Sequence, residues 1–386
     1  MRKYRVVKTI AVRTLSIVVL SAATMGWAKD ELHLGPVKLH PHLDFSATYD
    51  DNIFIAPEGQ EKSDFYFTTS PGAYLLYGDW KRNFLLLDYT MGIQRFVRQT
   101  SEDTLNHTVA FSGHASLDKL AFSLTHSLTD IRGANIEVAE RVSELRNVTQ
   151  ADTEYRLSSK TSVSLNYRQE FHAFDKRTLI DWQTYEPGGT FYYHATPKTH
   201  IFGQFNYGWV NVDQGNNNAV YQEADIGVRT LPGSKLVGTI KGGYQRRDFD
   251  GSADTINRWV ASAALEANFT DRTSAELSGT RNVSPSVTAT DNNYTLTRVQ
   301  LTLRQKLWRK KVVLMAGGGY ERDDYEEKIA GQTRRDDYWE ATVGADYNIT
   351  TYFQVGASYR YRKNNSTINS VSFNDNIASV HVLLHF

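Results

Sequence analysis

Charged side chains stand two positions apart in many segments of this sequence, in pairs of opposite or of like sign. Arg168 and Glu170 form one such pair, and Arg360 and Arg362 form another. Residues two apart lie on the same face of a β-strand, so each pair would present its charges to one compartment. A wall that carries both signs of charge suits the passage of polar and charged solutes. The residues that this spacing selects as the lining of a solute path are Arg156, Arg168, Arg229, Lys241, Arg298, Arg304, Arg360, Arg362, Glu170, Glu223, Glu266, Glu340 and Asp346.

The elements that would carry these charges alternate between apolar and polar residues. From Trp259 to Phe269 the odd positions are apolar and the even positions are mainly polar, and the segment from Trp339 to Tyr347 repeats this pattern. A period of two predicts β-strands with one apolar face. Eighteen strands are predicted, with sixteen as the alternative, beginning near residues 37, 64, 83, 104, 120, 145, 162, 179, 201, 219, 236, 257, 274, 293, 312, 335, 352 and 373.

Short polar turns and longer polar loops alternate between the predicted strands. The turns include Ser158–Thr161 and Thr270–Thr273, and the loops include the segments near 50–63, 132–145 and 323–335. A soluble β-sandwich would not sort its connections in this way, whereas a transmembrane barrel has tight periplasmic turns, longer outer loops and aromatic girdles. Because a sheet can cross a bilayer only by closing, we predict an all-β fold, a transmembrane antiparallel up-and-down β-barrel in the outer membrane of a Gram-negative-type bacterium.

The two ends of the sequence carry signals for export and assembly. Residues 1–28 combine a basic start, an apolar run and small residues before a cleavage site after Ala28, which is typical of a signal peptide. We expect residues 29–36 to form a short periplasmic segment and residues 37–386 to form the barrel. Phe386, on the apolar face of the last strand, matches the signal that the outer-membrane barrel assembly machinery reads, so we expect that machinery as a partner.

Other reactive residue types form no catalytic set. Asp50 and Asp51 are candidate calcium ligands, since hard cations prefer oxygen, but Asp also commonly begins a turn. His114 and Ser116 share a strand face, as in outer-membrane phospholipases, yet the alternation turns both away from lipid. The sequence contains no cysteine, which excludes disulfides and thiolate chemistry, and it has no phosphate-binding loop or zinc-helix motif. We therefore expect no enzyme activity and no cofactor.

Two interpretations of the charged lining are open. In the first, basic residues form an anion path, because rings of charge select ions of the opposite sign. In the second, the charges pair between neighbouring strands and only keep the wall polar. The chain as a whole is balanced, with 43 basic and 43 acidic residues, so nucleic acid is not an expected partner.

The segment Tyr49-Asp50-Asp51-Asn52-Ile53-Phe54, followed by Thr69-Ser70-Pro71-Gly72, resembles the start of the outer-membrane β-barrel porins of the second type. That family includes EpsL-like proteins associated with exopolysaccharide operons. The specific resemblance covers about the first 50 residues after the predicted cleavage site, by comparison of the quoted motifs, and the rest is similar only in its barrel pattern. The resemblance implies an outer-membrane barrel that serves as an export pore for a polysaccharide.

These observations predict a passive channel that conducts polar solutes or a secreted polysaccharide through a mixed-charge lumen. The alternatives are a barrel enzyme that acts on lipid or glycan, and a closed structural or adhesive barrel. The expected partners are outer-membrane lipid and lipopolysaccharide, the polar solute or glycan, and periplasmic export proteins. A fold alone does not establish which of these functions applies.

Overall fold

The computed structural model describes residues 32–80, 82–213, 218–250, 255–288, 293–329 and 332–385. Within these ranges the chain forms nineteen strands and two short 3₁₀ helices, Thr100–Glu102 and Asn369–Val371. The described residues include no helix with the length and apolar character needed to cross a membrane. The strands are β1 (Leu32–Leu34), β2 (Val37–Asp50), β3 (Asp64–Gly78), β4 (Phe84–Phe96), β5 (Thr104–Ser116), β6 (Leu120–Asn135), β7 (Glu140–Arg156), β8 (Thr161–Phe174), β9 (Trp182–Thr196), β10 (Thr199–Val212), β11 (Ala219–Thr230), β12 (Leu236–Phe249), β13 (Thr255–Asn268), β14 (Thr273–Pro285), β15 (Asn293–Leu307), β16 (Val312–Ile329), β17 (Gln332–Asn348), β18 (Phe353–Ser366) and β19 (Phe373–His385).

Strands β2–β19 form one closed antiparallel ring in which each strand pairs with its neighbours in sequence. The ring closes where β19 pairs with β2, from Ile377 opposite Asp50 to His385 opposite His42. Strand β1 pairs with the start of β2, from Val37 to Leu39. It therefore covers residues at the beginning of β2 that β19 does not pair with. Closure removes the free edge strand that would otherwise be exposed to lipid. The predicted fold class and the strand number of eighteen are confirmed, and β1 adds a short strand within the segment 29–36.

Successive residues along each strand face opposite sides of the wall and differ in character. Trp259 on β13 and Phe269, directly after β13, keep 56% and 61% of their surface exposed on the outside of the wall. Ile226 on β11 also faces outward and is 76% exposed. Charged residues such as Asp225 and Lys241 occupy the opposite face, where they are partly or fully buried. Apolar residues outside and charged residues inside are the arrangement of a barrel that is surrounded by lipid.

The two ends of the barrel differ in their connections. At the short-turn end, tight turns such as 117–119 and 197–198 join consecutive strands, whereas at the long-loop end the connection after β2 spans 51–63. The prediction of loops near 132–145 and 323–335 was wrong. Strands β6 and β7 stay paired through most of the first segment, and strands β16 and β17 stay paired through most of the second. Their polar residues suggested loops, but polar residues also suit a hairpin that stands in water above the bilayer.

Candidate functional site: a charged chamber below the barrel mouth

Three connections meet inside the long-loop end of the barrel. They are the tip of the β6–β7 hairpin (136–139), the β8–β9 loop (175–181) and the first residues of the β14–β15 loop (286–288). The Ile180 N–H donates to the Val287 carbonyl at 2.9 Å. Since β9 and β14 are five strands apart, and β7 and β14 are seven strands apart, in a ring of eighteen, contacts among the three connections span the lumen. We call these three connections and their contacts the mouth bridge.

Polar and apolar contacts both stabilise the mouth bridge. The Val287 N–H donates to the Glu137 carboxylate at 3.1 Å, and Arg334 of β17 donates to the Glu137 carbonyl at 2.6 Å. Val142, Leu179 and Val287 form a buried apolar cluster in the same place. The mouth bridge is therefore attached to four parts of the wall, the strand pairs β6–β7, β8–β9 and β14–β15 and the strand β17, and it narrows the entrance to the barrel.

A cavity of about 630 Å³ lies next to the mouth bridge, between strands β7–β9 and β11–β16. We call it the chamber. Its lining contains more carboxylates than basic groups among the described residues. The carboxylates are those of Glu137, Glu144, Glu170, Glu186, Glu223, Asp225, Glu321 and Asp323, and the basic groups are those of Arg146, Arg168, His172, Lys241, Arg247, Arg281 and Arg298.

One charged cluster of the chamber is centred on Glu170 of β8. Its carboxylate accepts hydrogen bonds from Arg146 and Arg168 and lies 3.0 Å from Nε2 of His172. Nδ1 of His172 lies 2.6 Å from a carboxylate oxygen of Glu144 on the neighbouring strand. The alternation of strand residues brings these groups together, since Arg168, Glu170 and His172 are two positions apart on one inward face.

A second charged cluster lies on β11 and β12, and an ion pair joins β15 to β16. Nζ of Lys241 donates to Asp225 at 2.5 Å and to Glu223 at 3.2 Å. Arg298 forms an ion pair with Glu321. These pairs join neighbouring strands, which is the geometry that the second interpretation of the lining describes. The role of these residues in a solute path stays a prediction.

Several buried polar atoms of the chamber have no hydrogen-bond partner among the described residues. A buried polar group without a partner costs free energy unless water or a ligand satisfies it. The atoms include donors as well as acceptors, so they suit a solute or water that offers both. They are Nε1 of Trp182, Nε of Arg146, Arg247 and Arg281, Oδ1 of Asp225, Asn282 and Asp323, and Oε1 of Gln245.

Five of the thirteen residues selected from the sequence line the chamber: Arg168, Glu170, Glu223, Lys241 and Arg298. The other eight also belong to the inward face of their strands but lie elsewhere in the lumen, namely Arg156, Arg229, Arg304, Arg360, Arg362, Glu266, Glu340 and Asp346. Their side-chain partners are Glu154 for Arg229, Glu276 for Arg304, Asp375 for Arg362, Tyr338 for Glu340, His381 for Asp346 and Asn268 for Glu266. Arg156 interacts electrostatically with His200, and Arg360 with Tyr338.

The sequence did not single out some of the residues that line the chamber. Glu144 lies at the end of the segment that was expected to be a loop, Arg146 lies just after the expected strand start near 145, and Asp323 begins the other such segment. The period of two runs through both Glu144 and Arg146, and following it in each direction from the expected strand start would have identified both. Glu186 stands beside Pro187, which interrupts the pattern of β9, and it gave no such signal.

The candidate calcium ligands meet at the closure of the ring. Oxygen atoms of Asp50, Asp51 and Asp375 lie within 4.8 Å of one another. Each carboxylate also has a protein partner. Asp50 accepts a hydrogen bond from the Asn52 N–H at 2.9 Å, Asp51 accepts from Asn376 at 2.7 Å, and Asp375 accepts from Arg362 at 2.6 Å. The calcium site stays a prediction. The signal peptide, residues 1–28, and Phe386 lie outside the described residues.

Two groups of side chains contain residue types that are used in hydrolases. His114 faces inward, as expected, and lies 3.1 Å from the Ser123 hydroxyl. Ser162 is fully buried, donates to Glu154 at 2.6 Å and lies 3.0 Å from His194. In a hydrolytic triad the carboxylate orients the histidine and the serine is accessible to substrate. Neither group has this arrangement, and the absence of enzyme activity stays a prediction.

Solved structures of outer-membrane proteins are similar to this chain at low sequence identity. The outer membrane protein OpdK from Pseudomonas aeruginosa is 10% identical, with a TM-score of 0.46, and the match covers 90% of this chain and 99% of that one. OccAB3 from Acinetobacter baumannii is 9% identical, with a TM-score of 0.47 and coverage of 90% and 99%. OpdL from Pseudomonas aeruginosa is 13% identical, with a TM-score of 0.43 and coverage of 91% and 99%. No curated protein matches the sequence.

A family match covers almost the whole described chain. The family described as "Putative beta-barrel porin 2" matches residues 32–386, which extends the resemblance seen in the first strands to the entire ring. Together with the closed ring, the lipid-facing apolar surface and the polar lumen, this match places the protein in the outer membrane and indicates a channel for solutes. The chain belongs to this family of β-barrel porins.

Proposed function

We propose that the protein is a passive channel for small polar solutes and that the path passes through the chamber. The observation that carries this proposal is the set of buried, unpartnered donors and acceptors on the chamber wall. Apolar cavities stay dry, whereas polar cavities of this size take up water and polar ligands. A solute with hydroxyl, amino or carboxyl groups can satisfy these atoms during passage.

We also propose that the channel prefers cations to anions. The chamber lining has eight carboxylates and, when His172 is counted, seven basic groups, and the basic groups of the Lys241 and Glu170 clusters are already bound to carboxylates. An excess of negative charge raises the local concentration of cations and lowers that of anions. This proposal replaces the anion path that the sequence left open.

The position of the mouth bridge favours small solutes, rather than a polysaccharide chain, as the molecules that pass through the channel. A polymer must pass in extended form through every narrowing of the lumen at once, and the contacts between Ile180 and Val287 cross the entrance. Export of a polysaccharide, which the family resemblance implied, would require these contacts to break. A small solute needs only the space that remains beside them.

The channel proposal is tested with the refolded protein in planar bilayers and in liposomes. We expect single-channel conductance in potassium chloride, a reversal potential in a salt gradient that corresponds to cation preference, and swelling of liposomes in sugars that falls steeply as the sugar grows from a monosaccharide to an oligosaccharide. A correctly folded protein that gives no conductance would contradict the proposal and favour a closed barrel. A reversal potential of the opposite sign would contradict the cation preference alone.

A further inference from the structure

The wall of the barrel is not hydrogen-bonded over its full height between β13 and β14. The ladder runs from Asn268 opposite Ser274 to Ala261 opposite Arg281 and stops there. Above this point β13 stays paired with β12 as far as Thr255, and β14 stays paired with β15 through its last residues. The two strands therefore separate toward the long-loop end, and we call the gap between 255–260 and 282–285 the open seam.

The chamber continues into the open seam. On β7 and β8 only one face lines the chamber, as with Glu144 and Arg146, or Arg168 and Glu170. On β14, by contrast, every residue from Thr280 to Pro285 lines it. Successive side chains of a strand point to opposite sides of a sheet, so a strand within a continuous wall cannot present both faces to one cavity. The cavity therefore reaches through the wall beside β14.

Side chains rather than a backbone ladder hold the open seam together. On the inner side, Arg247 donates to the Val283 carbonyl at 2.9 Å and to Oδ1 of Asn293 at 3.1 Å. On the outer side, the Arg281 guanidinium lies 4.3 Å from the centre of the Trp259 ring. Such contacts can be exchanged for contacts to a ligand without breaking the sheet, whereas a ladder cannot.

The open seam lies at the outer interface of the bilayer. Trp259 and Phe269 are exposed aromatic residues near the two ends of the outward face of β13, and aromatic girdles mark both membrane interfaces. Ala261, where the ladder ends, follows Trp259 on that face. The gap is therefore at the level of the lipid headgroups and above, where unpaired backbone groups meet polar surroundings rather than hydrocarbon.

Three guanidinium groups lie close together at the open seam, those of Arg281 and Arg322 on outward positions and that of Arg258 on an inward position of β13 opposite Gln245. Arg281 donates one hydrogen bond, from a terminal guanidinium nitrogen to the Thr297 hydroxyl, but it forms no ion pair with any residue that the structure describes, and its Nε is buried without a partner. Arg258 and Arg322 are near enough to repel Arg281, and Asp324 is near enough to attract it. However, Asp324 already accepts a hydrogen bond from Arg322 at 3.1 Å, and Glu326 accepts one from Arg258 at 2.8 Å. A phosphate group would satisfy Arg281, because guanidinium groups bind phosphate oxygens in pairs.

We propose that the open seam binds the phosphate-bearing headgroup of an outer-leaflet lipid, with Arg281 as the principal phosphate ligand. The headgroup enters the seam between β13 and β14, and the acyl chains stay in the bilayer below Trp259. Three observations support this ligand. The guanidinium groups have the charge that a phosphate requires, the gap lies at the level of the lipid headgroups, and the chamber extends through the wall at the same place. The site does not require that the chamber conducts solutes.

Native mass spectrometry of the full mature chain in detergent tests this proposal. We expect the protein to retain lipid A, a lipid with phosphate groups on its headgroup, in preference to phosphatidylcholine. Arg281→Gln should weaken retention of lipid A about tenfold, which is the loss expected for one charge-assisted hydrogen bond, and Arg281→Lys should restore part of it. Arg246→Gln is the matched control, because Arg246 is an outward arginine of β12 that is paired with Asp248. Equal retention by Arg281→Gln and the wild type would overturn the proposal, and so would equally tight binding of inorganic phosphate.

A reversible cross-link tests the role of the gap itself. Cysteines at Val260 and Asn282, joined by a short bifunctional methanethiosulfonate, would close the open seam, and the native sequence has no cysteine that could interfere. We expect the cross-link to abolish lipid A retention and a reducing agent to restore it. The same cross-link between Ala264 and Ser278, which already face each other in the ladder, should have no effect. Retention by the closed seam would contradict the proposal, and bilayer conductance of the same samples tests the channel function separately.

Discussion

Replacing Glu223 by glutamine should shift the ion selectivity of the channel without unfolding it. Glu223 lines the chamber and lies 3.2 Å from Nζ of Lys241, which Asp225 also binds at 2.5 Å. Glutamine has nearly the same shape and still accepts the hydrogen bond that Gln245 donates at 2.8 Å. Lys241 keeps one carboxylate, so no uncompensated charge remains buried. We expect the free energy of unfolding to fall by only about 1–2 kcal/mol.

The size of the selectivity change follows from the loss of one negative charge. A unit charge about 6 Å from an ion in a water-filled chamber contributes about 0.7 kcal/mol, and 0.1 M salt reduces this to about 0.4 kcal/mol. Cations lose this stabilisation and anions gain it, so the two energies change in opposite directions. The permeability ratio of potassium to chloride should therefore fall about three- to fourfold.

The measurement is the reversal potential of Glu223→Gln in a gradient of potassium chloride across a planar bilayer. Glu61→Gln is the control, because Glu61 is exposed in the loop after β2, and its reversal potential should equal that of the wild type. Correct folding of each variant is checked by its shift in mobility on unheated gels. If Glu223→Gln conducts and has the wild-type reversal potential, ions do not pass the chamber and the proposed path is refuted.

Three further perturbations address the mouth bridge and the ring closure. Burial and the neighbouring Asp213 raise the pKa of Asp181 in the β8–β9 loop, where the Asp181 carboxylate accepts a hydrogen bond from the Phe174 N–H. Protonation of Asp181 therefore stabilises this loop in its position at the mouth bridge, so conductance should fall as the pH drops from 7 toward 4. Asp181→Asn should remove that dependence on pH. Val287→Ala removes two methyl groups from the apolar cluster, worth about 1.6 kcal/mol, and should increase the mean open conductance in bilayer recordings. Arg362→Gln leaves the fully buried Asp375 carboxylate without its cation and should lower the free energy of unfolding by about 3–5 kcal/mol in urea titrations of the refolded barrel.

The strands were predictable because each of them repeats one simple physical constraint. A residue that faces lipid must be apolar, whereas its neighbours in sequence can be polar, so the period of two persists along every strand of the wall. The predicted strand starts therefore lie close to the observed ones. Where the constraint ends, above the bilayer, the prediction failed, as in 132–145. Strand β9 shows the same limit, since both Tyr192 and Tyr193 suit either face, and only the folded ring assigns Tyr192 to the lumen and Tyr193 to the lipid side.

The charged lining was predictable as a set of faces but not as a site. Alternation assigned residues such as Arg168 and Glu170 to the lumen, yet it does not say which part of the lumen they reach or which partners they find. The contact between Glu137 and Val287 joins residues 150 positions apart. No local pattern encodes such a pairing, because it depends on how two loops from opposite walls bend into the same space.

The mouth bridge and the open seam have a common structural origin. An eighteen-stranded ring is wide enough to hold an aqueous lumen, so a loop that crosses it must lean away from its own wall. Residues 286–288 reach Ile180 and Glu137 because β14 leaves β13 above Ala261. Narrowing of the mouth and opening of the wall are thus two consequences of one displacement of the β14–β15 hairpin. Weakening the mouth bridge would allow β14 to return to β13, which would close the seam while it widens the entrance, so solute passage and lipid binding should respond to that change in opposite directions.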